Sequence, residues 1–302
     1  MYDDSYRAKQ IHTIDEMLTK STLYVVATPI GNLRDISLRA LEVLAGVDVI
    51  AAEHIQITQR LLAFHAIHTK MITLHQHNER TASEKIIAML AEQKSVALVT
   101  DAGTPGISDP GGLLINQVRE RGYQVTPIPG ANAAICALSA SGIVTPHFLF
   151  YGFLPAKSGE RKRKLESLKS LSSCTLIFYE APHRLLECLA DMTAVFGACR
   201  QITIARELTK LFETFYTSNL DGVVSWLQSD ENQQKGEFVL LLSPVEPEND
   251  AEISEQVKHT LYILMESLPL KQAVQLAAEI SGESRKKLYA FALSRKNNMP
   301  NQ

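Results

Sequence analysis

Asp101-Ala102-Gly103-Thr104-Pro105-Gly106-Ile107-Ser108-Asp109-Pro110-Gly111-Gly112 has the residue types of a ligand-binding turn. It follows directly on the apolar run Ser95 to Thr100, so a carboxylate and several bare backbone positions come just past a buried strand. In an open α/β sheet this carboxyl edge is where loop amides and helix N-termini converge on small ligands. Thr28-Pro29-Ile30-Gly31-Asn32-Leu33 is a second such loop, behind the strand-like Leu23 to Ala27, and it leads into a helix that Asp35 or Ser37 can cap. Pro29, Pro105 and Pro110 fix φ and withhold donors, which stiffens loops that hold a ligand through backbone atoms. Neither loop has the three-glycine spacing of a dinucleotide fingerprint, which argues against a nicotinamide cofactor.

Two further clusters carry titratable groups. Leu74-His75-Gln76-His77-Asn78-Glu79 reads as two histidines on one strand face, a spacing that suits a metal only with a third ligand; none is near, and no metal is expected. Glu180-Ala181-Pro182-His183-Arg184 follows a buried strand, and Arg184 there can either contact phosphate or pair with Glu180. The four cysteines, Cys136, Cys174, Cys188 and Cys199, lack paired close spacing and read as reduced thiols rather than a zinc site or disulfide framework.

The elements that position these residues alternate. Strand-like runs at Leu23 to Ala27, Val47 to Ala52, Val96 to Thr100 and Gln124 to Ile128 are separated by helical patterns at Ser37 to Leu44, Thr58 to Phe64, Ser83 to Glu92 and Leu113 to Arg121. This predicts a parallel sheet with both faces covered. After Pro129-Gly130 comes a small-residue helix, Ala131 to Ser141, and new strands at Phe148 to Phe153, Thr175 to Tyr179, Ile202 to Arg206 and Glu237 to Leu242. The fold class is therefore α/β with two α/β domains: an N-terminal extension at 1–20, one domain at 21–130 and another at 131–245. Residues 246–302 form an acidic linker, Glu246 to Gln256, and a basic helical appendage with two short helices about Ser281-Gly282.

With 302 residues and 45% hydrophobic content the chain can bury a large core, and its net charge of -3 gives no global attraction to phosphate. Nucleic-acid contact would have to come from local clusters. Lys157 to Lys169 and Lys271 to Lys296 each hold six basic and two acidic residues. The N-terminus lacks a signal-peptide core and no apolar run approaches the roughly 20 residues that span a bilayer, so a cytoplasmic location and no membrane partner are expected.

Five motifs, in order, resemble the bacterial 16S rRNA (cytidine 2'-O) methyltransferases of the tetrapyrrole methylase superfamily. They are Val26 to Leu33, Asp101 to Gly111, Pro129-Gly130-Ala131-Asn132-Ala133-Ala134, Tyr151-Gly152-Phe153-Leu154-Pro155 and Phe178-Tyr179-Glu180-Ala181-Pro182-His183-Arg184, and the resemblance runs from about Leu23 to Ala292. It implies two α/β domains with S-adenosylmethionine in the cleft between them, a homodimer, and 16S rRNA within the small ribosomal subunit as substrate. It also implies cofactor contacts from Thr28, Pro29, Ile30 and Gly31, from Asp101, Gly103 and Thr104, from Ala131, Asn132 and Ala133, and from Tyr179 and Arg206. For RNA it points to Arg161, Lys162, Arg163 and Lys164, to Arg184 and Lys210, and to Arg285, Lys286 and Lys287.

Methyl transfer from a sulfonium is an in-line displacement that needs alignment and no metal. The weakly nucleophilic ribose 2'-hydroxyl gains from a base, about 10²- to 10⁴-fold. Catalytic candidates are Glu53, His54 and Glu180, with His75, His77 and His183 as further bases; Glu53 is best placed, at the end of the strand Val47 to Ala52. The family motif continues Ala-Glu with Asp-Thr-Arg, whereas this chain reads Ala52-Glu53-His54-Ile55-Gln56. His54 stands for the Asp and Gln56 for the Arg, which removes a cation for phosphate and motivates a role for His54. Two other readings accompany the leading one: methylation of a tetrapyrrole precursor, or a catalytically weakened S-adenosylmethionine- and RNA-binding protein.

Overall fold

The computed structural model describes residues 18–245 and 253–296. Most of the N-terminal extension, at 1–17, and most of the acidic linker, at 246–252, lie outside the described residues. Two compact units divide the chain, 1–245 and 246–302.

The first sheet consists of β1 (Thr22–Val26), β2 (Val49–Ala52), β3 (Met71–Thr73), β4 (Val96–Val99) and β5 (Gln124–Ile128), in the order β3-β2-β4-β1-β5. Every pairing is parallel. β1, β2 and β4 are buried at every position, which their apolar runs permit only if both faces are covered. Helices α1 (Leu38–Gly46) and α2 (Ile55–Phe64) cover one face, packing Val43, Leu44 and Leu62 on Tyr24, Ile50 and Ala97. On the other, α3 (Glu79–Ala91) and α4 (Gly112–Glu120) pack Ile86, Leu90, Leu114 and Val118 on Leu23, Ala51 and Leu98. From β1 the chain leaves toward β2; from the adjacent β4 it leaves the other way, across β1 to β5. The two Gly/Pro loops of the sequence thus diverge from neighbouring strands, opening a crevice at a topological switch point.

The second sheet has the order β6-β7-β10-β8-β9, from β6 (Phe148–Phe153), β7 (Thr175–Glu180), β8 (Gln201–Arg206), β9 (Thr214–Asn219) and β10 (Phe238–Leu242). Only β6 and β7 pair in parallel. One face carries α6 (Ser158–Leu168), α7 (Leu185–Phe196) and α8 (Leu220–Ser229), with Leu165, Leu189, Met192 and Val223 on Phe178, Ile204 and Leu240. The other carries α5 (Ala133–Ala140) and one residue of the first lobe, Ile30, on Ile177, Ala205, Val239 and Leu241. The loop after β1 is thereby anchored in the second sheet's core.

In the C-terminal unit, α9 (Glu255–Ser267), α10 (Leu270–Ser281) and α11 (Arg285–Lys296) close on Leu261, Ala273, Ala277 and Leu288. α10 ends at Gly282, whose φ of 74° needs no Cβ. The last residues expected in the acidic linker belong to the helical unit: Ile253 is buried and Ser254 caps α9. No helix among the described residues is long and apolar enough to cross a membrane.

Candidate active site

Hydrogen bonds knit the loops past β1, β4 and β5 to one another and to the second sheet. Thr28 and Gly103 exchange backbone bonds, N–H to O at 2.8 and 3.0 Å. Thr28 Oγ1 donates to Thr100 O at 3.0 Å, and Thr104 Oγ1 to Ala131 O at 3.0 Å. Ala134 N–H donates to the Tyr179 hydroxyl at 3.1 Å, reaching β7. A Cβ on Gly31 would stand 2.6 Å from Lys210 Cγ and 2.9 Å from Leu208 O, so only glycine admits the chain past β8 this close; Thr209 Oγ1 then accepts from Asn32 N–H at 3.1 Å. Glu207 and Thr209 hold positive φ, 51° and 66°, to make this approach.

Between these loops lies a cavity of about 370 Å³, large enough for a nucleoside-sized ligand. Ile30, Ile107, Phe153, Leu208 and Val239 make it apolar, and Asp109, Glu180 and Glu237 give it carboxylates. Burial pushes the Asp109 carboxyl up to about 6, with Glu53 and Asp101 adding repulsion. Burial also raises the Tyr179 phenol, with Asp109 contributing against the Ala134 N–H, and keeps it neutral.

Of the expected cofactor residues, Ile30, Gly103, Thr104, Asn132, Ala133 and Tyr179 line this cavity. Gly103 has φ of 84°, a backbone conformation that suits a residue without Cβ, while its N–H and C=O stay paired with Thr28. Gly31 and Ala131 act through the backbone approaches just described, while Thr28, Pro29 and Asp101 line a small crevice behind the first two loops. Arg206 departs from expectation. Its guanidinium is only 8% exposed and donates to the carbonyls of Lys235, Phe212 and Asn232, so it pins two loops and offers nothing to a ligand.

The catalytic candidates divide between two places. At the carboxyl edge of the first sheet, Glu53 Oε2 accepts from Asp101 N–H at 3.3 Å and His54 Nδ1 lies 2.7 Å from Asp101 Oδ2. These three are also the single group of metal-capable side chains among the described residues, within 4.8 Å, but the His54 nitrogen and the Asp101 oxygen are spent on each other. Glu180 sits on the cavity wall, 2% exposed, accepting from Ala181 N–H at 2.9 Å and paired with Arg184 Nε at 3.1 Å. Arg184 also donates to Leu154 O at 2.6 Å; of the two readings left open for it, the geometry realises the pairing with Glu180, and its guanidinium is not displayed to phosphate.

The basic cluster on α6 needs a correction. Arg161 is fully buried, with Nε on Asp191 at 2.6 Å and Nη1 on Ala156 O at 3.1 Å, so it locks α6 to α7 and is withdrawn as an RNA contact. Lys162 leans on Asp191 at 3.2 Å, Lys164 lies over the Tyr151 ring at 5.1 Å, and Arg163 is exposed with one bond to Gly159 O. Lys210 bridges Glu207 and Glu237 at the cavity rim. In the C-terminal unit Arg285 pairs with Glu279 and Lys287 with Glu283, and Lys286 is exposed.

His75 and His77 lie in the turn after β3 rather than on a strand, their rings 5.9 Å apart, because Asn78 Oδ1 accepts from His75 N–H at 2.8 Å and turns the chain. Neither lines the cavity. The motif's last residue is the one that matters: Glu79 Oε1 accepts from the N–H groups of Gly111, Leu113 and Leu114 at 3.0 to 3.3 Å and fixes the far end of the Asp101–Gly112 loop. Sequence reasoning assigned no role to Glu79 or Asp109. Asp109 lies in the Asp101–Gly112 stretch, but neither its burial nor the reach of Glu79 across 32 residues is written in the sequence.

The family profile described as Tetrapyrrole (Corrin/Porphyrin) Methylases matches residues 22–224, the span that builds this site. The chain belongs to this family. A further profile, RsmI C-terminal HTH domain, matches residues 251–296 of the methylase. Ribosomal RNA small subunit methyltransferase I of Neisseria meningitidis serogroup B is 44% identical over 289 residues, 96% of this chain and 99% of that one. The protein of the same name from Vibrio cholerae is 48% identical, covering 90% and 94%, and that of Pseudomonas aeruginosa 47%, covering 92% and 99%. Among solved structures, diphthine synthase superposes with a TM-score of 0.59 at 15% identity over 74% of the methylase and 90% of its own chain. Cobalt precorrin-4 methyltransferase reaches 0.56 at 14%, over 73% and 94%. These two establish a shared fold.

Proposed function

We propose that this methylase transfers the methyl group of S-adenosylmethionine to the 2'-oxygen of a cytidine ribose in 16S rRNA. One observation carries the reading: a nucleoside-sized cavity with the Asp109 carboxylate on its wall, built at the switch point by loops locked to one another, in a chain close to full-length small subunit methyltransferases over nearly its whole extent. The donor set suits the cofactor. Asp109 offers a carboxylate to its positive charge, Ile30, Leu208 and Val239 match its apolar surface, and Gly103, with no Cβ, lets the ligand come close. Bound there, S-adenosylmethionine supplies a methyl activated on a sulfonium. The residues of the chain orient it and hold water out, and the rigid loops settle the alignment before the substrate arrives.

RNA would be held through phosphates by exposed cations, among them Arg163 on α6 and Lys286 on α11. The assembled small subunit is the expected substrate and a homodimer the expected form. The test is transfer of labelled methyl to small subunits from a strain lacking the modification. Label at the 2'-oxygen of one 16S cytidine is the expected result. Label in a macrocyclic acceptor, or tight RNA binding with no transfer, would overturn it.

A further inference from the structure

We infer that His54, oriented by Asp101, takes the proton from the attacking hydroxyl in this chain; the inference rests on the methyl-transfer reading above. The pair is made by the ends of two adjacent strands. β2 delivers Glu53 and His54, β4 delivers Asp101, and the Glu53 carboxylate bonded to Asp101 N–H ties the two ends together. His54 Nδ1 stands 2.7 Å from Asp101 Oδ2. An ionised carboxylate only accepts, so Nδ1 carries the hydrogen and Nε2 keeps a free lone pair. The imidazole is 60% exposed at its side chain and the aspartate 29%, so the carboxylate is the inner member and the ring the accessible one.

His54 also occupies the cap position of α2 yet makes no side-chain bond to the helix. It is therefore not employed in holding the helix end. Ala102 to Thr104, which follow Asp101, line the cavity, while Asp101 itself lines the small crevice beside Thr28 and Pro29, so the chain passes from the pair straight into the cavity wall. Carboxylates gather at this sheet edge: Glu53 after β2, Asp101 after β4, and Asp109 in the following loop, near enough to Asp101 and Glu53 to be raised by them. The first turn of α2 adds Gln56, Ile57 and Thr58, none charged.

The step balances. As the ribose oxygen bonds to the methyl carbon, the carbon–sulfur bond breaks with its electron pair left on sulfur, and the hydroxyl proton passes to His54 Nε2. Asp101 offsets the new charge and water later removes the proton. Asp101 is thus a positioning residue and His54 the catalytic one.

The test compares wild type, H54A, H54D and D101N by kcat against pH on small subunits, by calorimetry with S-adenosylmethionine, and by NMR titration of the His54 ring. H54A should lose about a hundredfold or more in kcat, bind the cofactor within twofold of wild type, and lose the acid limb of the pH profile. H54D should recover part of kcat with a limb displaced to lower pH. D101N should lower kcat and release the ring from its Nδ1–H tautomer, read in the ring's nitrogen shifts. Equal kcat for H54A and wild type, or a ring tautomer unchanged in D101N, would overturn the assignment. So would loss of activity on dialysis against EDTA with recovery in Mn²⁺, which would make the three side chains a metal site. A wild type that binds no cofactor and transfers no methyl removes the methyl-transfer reading itself, a result separable from these.

Discussion

Asp109 is the residue whose chemistry depends most on its place. Its raised carboxyl pKa, about 6 against roughly 3.9 for an unfolded chain, means the folded protein without ligand holds an extra proton between those values. The contribution of this group to stability is therefore greatest below about pH 4 and is lost as pH rises through 6. Between pH 7 and pH 5 the ligand-free protein should gain stability from it, and D109N should melt higher than wild type at pH 7.5 with a flatter dependence. A cation in the cavity reverses the preference and favours the carboxylate. At pH 6, calorimetry in buffers of different ionisation enthalpy should show about half a proton released on binding S-adenosylmethionine and less on binding its neutral-sulfur product. D109N should abolish the difference and narrow the affinity ratio of the two. Equal proton release for both ligands would refute this role. His54 was legible beforehand because a motif could be read at its position. Asp109 was not singled out, since only burial distinguishes it from the other acids of its loop.

At the scale of elements, Arg161 shows how a sequence pattern misleads. Its neighbours Lys162, Arg163 and Lys164 announce a solvated helix face, yet α6 meets α7 on the one turn where a guanidinium can reach a buried carboxylate. Asp191 accepts from Ser158 Oγ at 2.9 Å as well as from Arg161, and although burial alone would raise it, these bonds hold its carboxyl below the usual range. A depressed folded value gives stability that is present above about pH 4 and lost as pH falls through it. D191A should cost about 3 kcal/mol in denaturant melts, because it removes the buried partner of Arg161 and leaves it only the exposed Glu187 carboxylate at 3.1 Å, and an R161M/D191L pair should restore most of that. Glu79 acts similarly on the α4 end. E79A should weaken cofactor binding with stability lowered by about 1 kcal/mol, and an unchanged calorimetric affinity would separate the cap from the site. The covered strands β1, β2, β4, β7 and β10 were readable as apolar runs. β3, three residues long, and the half-exposed β9 were not, since each is a sheet edge that packs little and needs no apolar run.

Across the whole molecule the charge is nearly balanced, so affinity for RNA depends on where the free cations are. The supply on α6 falls once Arg161 is buried and Lys162 is shared with Asp191, and Arg184 and Arg206 are engaged inside the second lobe. The N-terminal end of α11 gains weight by comparison, its Arg285 and Lys287 bound only to acids of their own unit and Lys286 exposed. Exposed ion pairs contribute about 0 to 1 kcal/mol, so phosphate can displace Glu279 and Glu283 at little cost. The triple variant R285Q/K286Q/K287Q should bind cofactor as wild type does. Its affinity for small subunits should fall, and the slope of log affinity against log salt should shrink by about 2 to 3, one increment for each phosphate that the variant leaves unneutralised. A slope identical to wild type would place RNA binding on the two-sheet unit alone and leave the helical unit with another task.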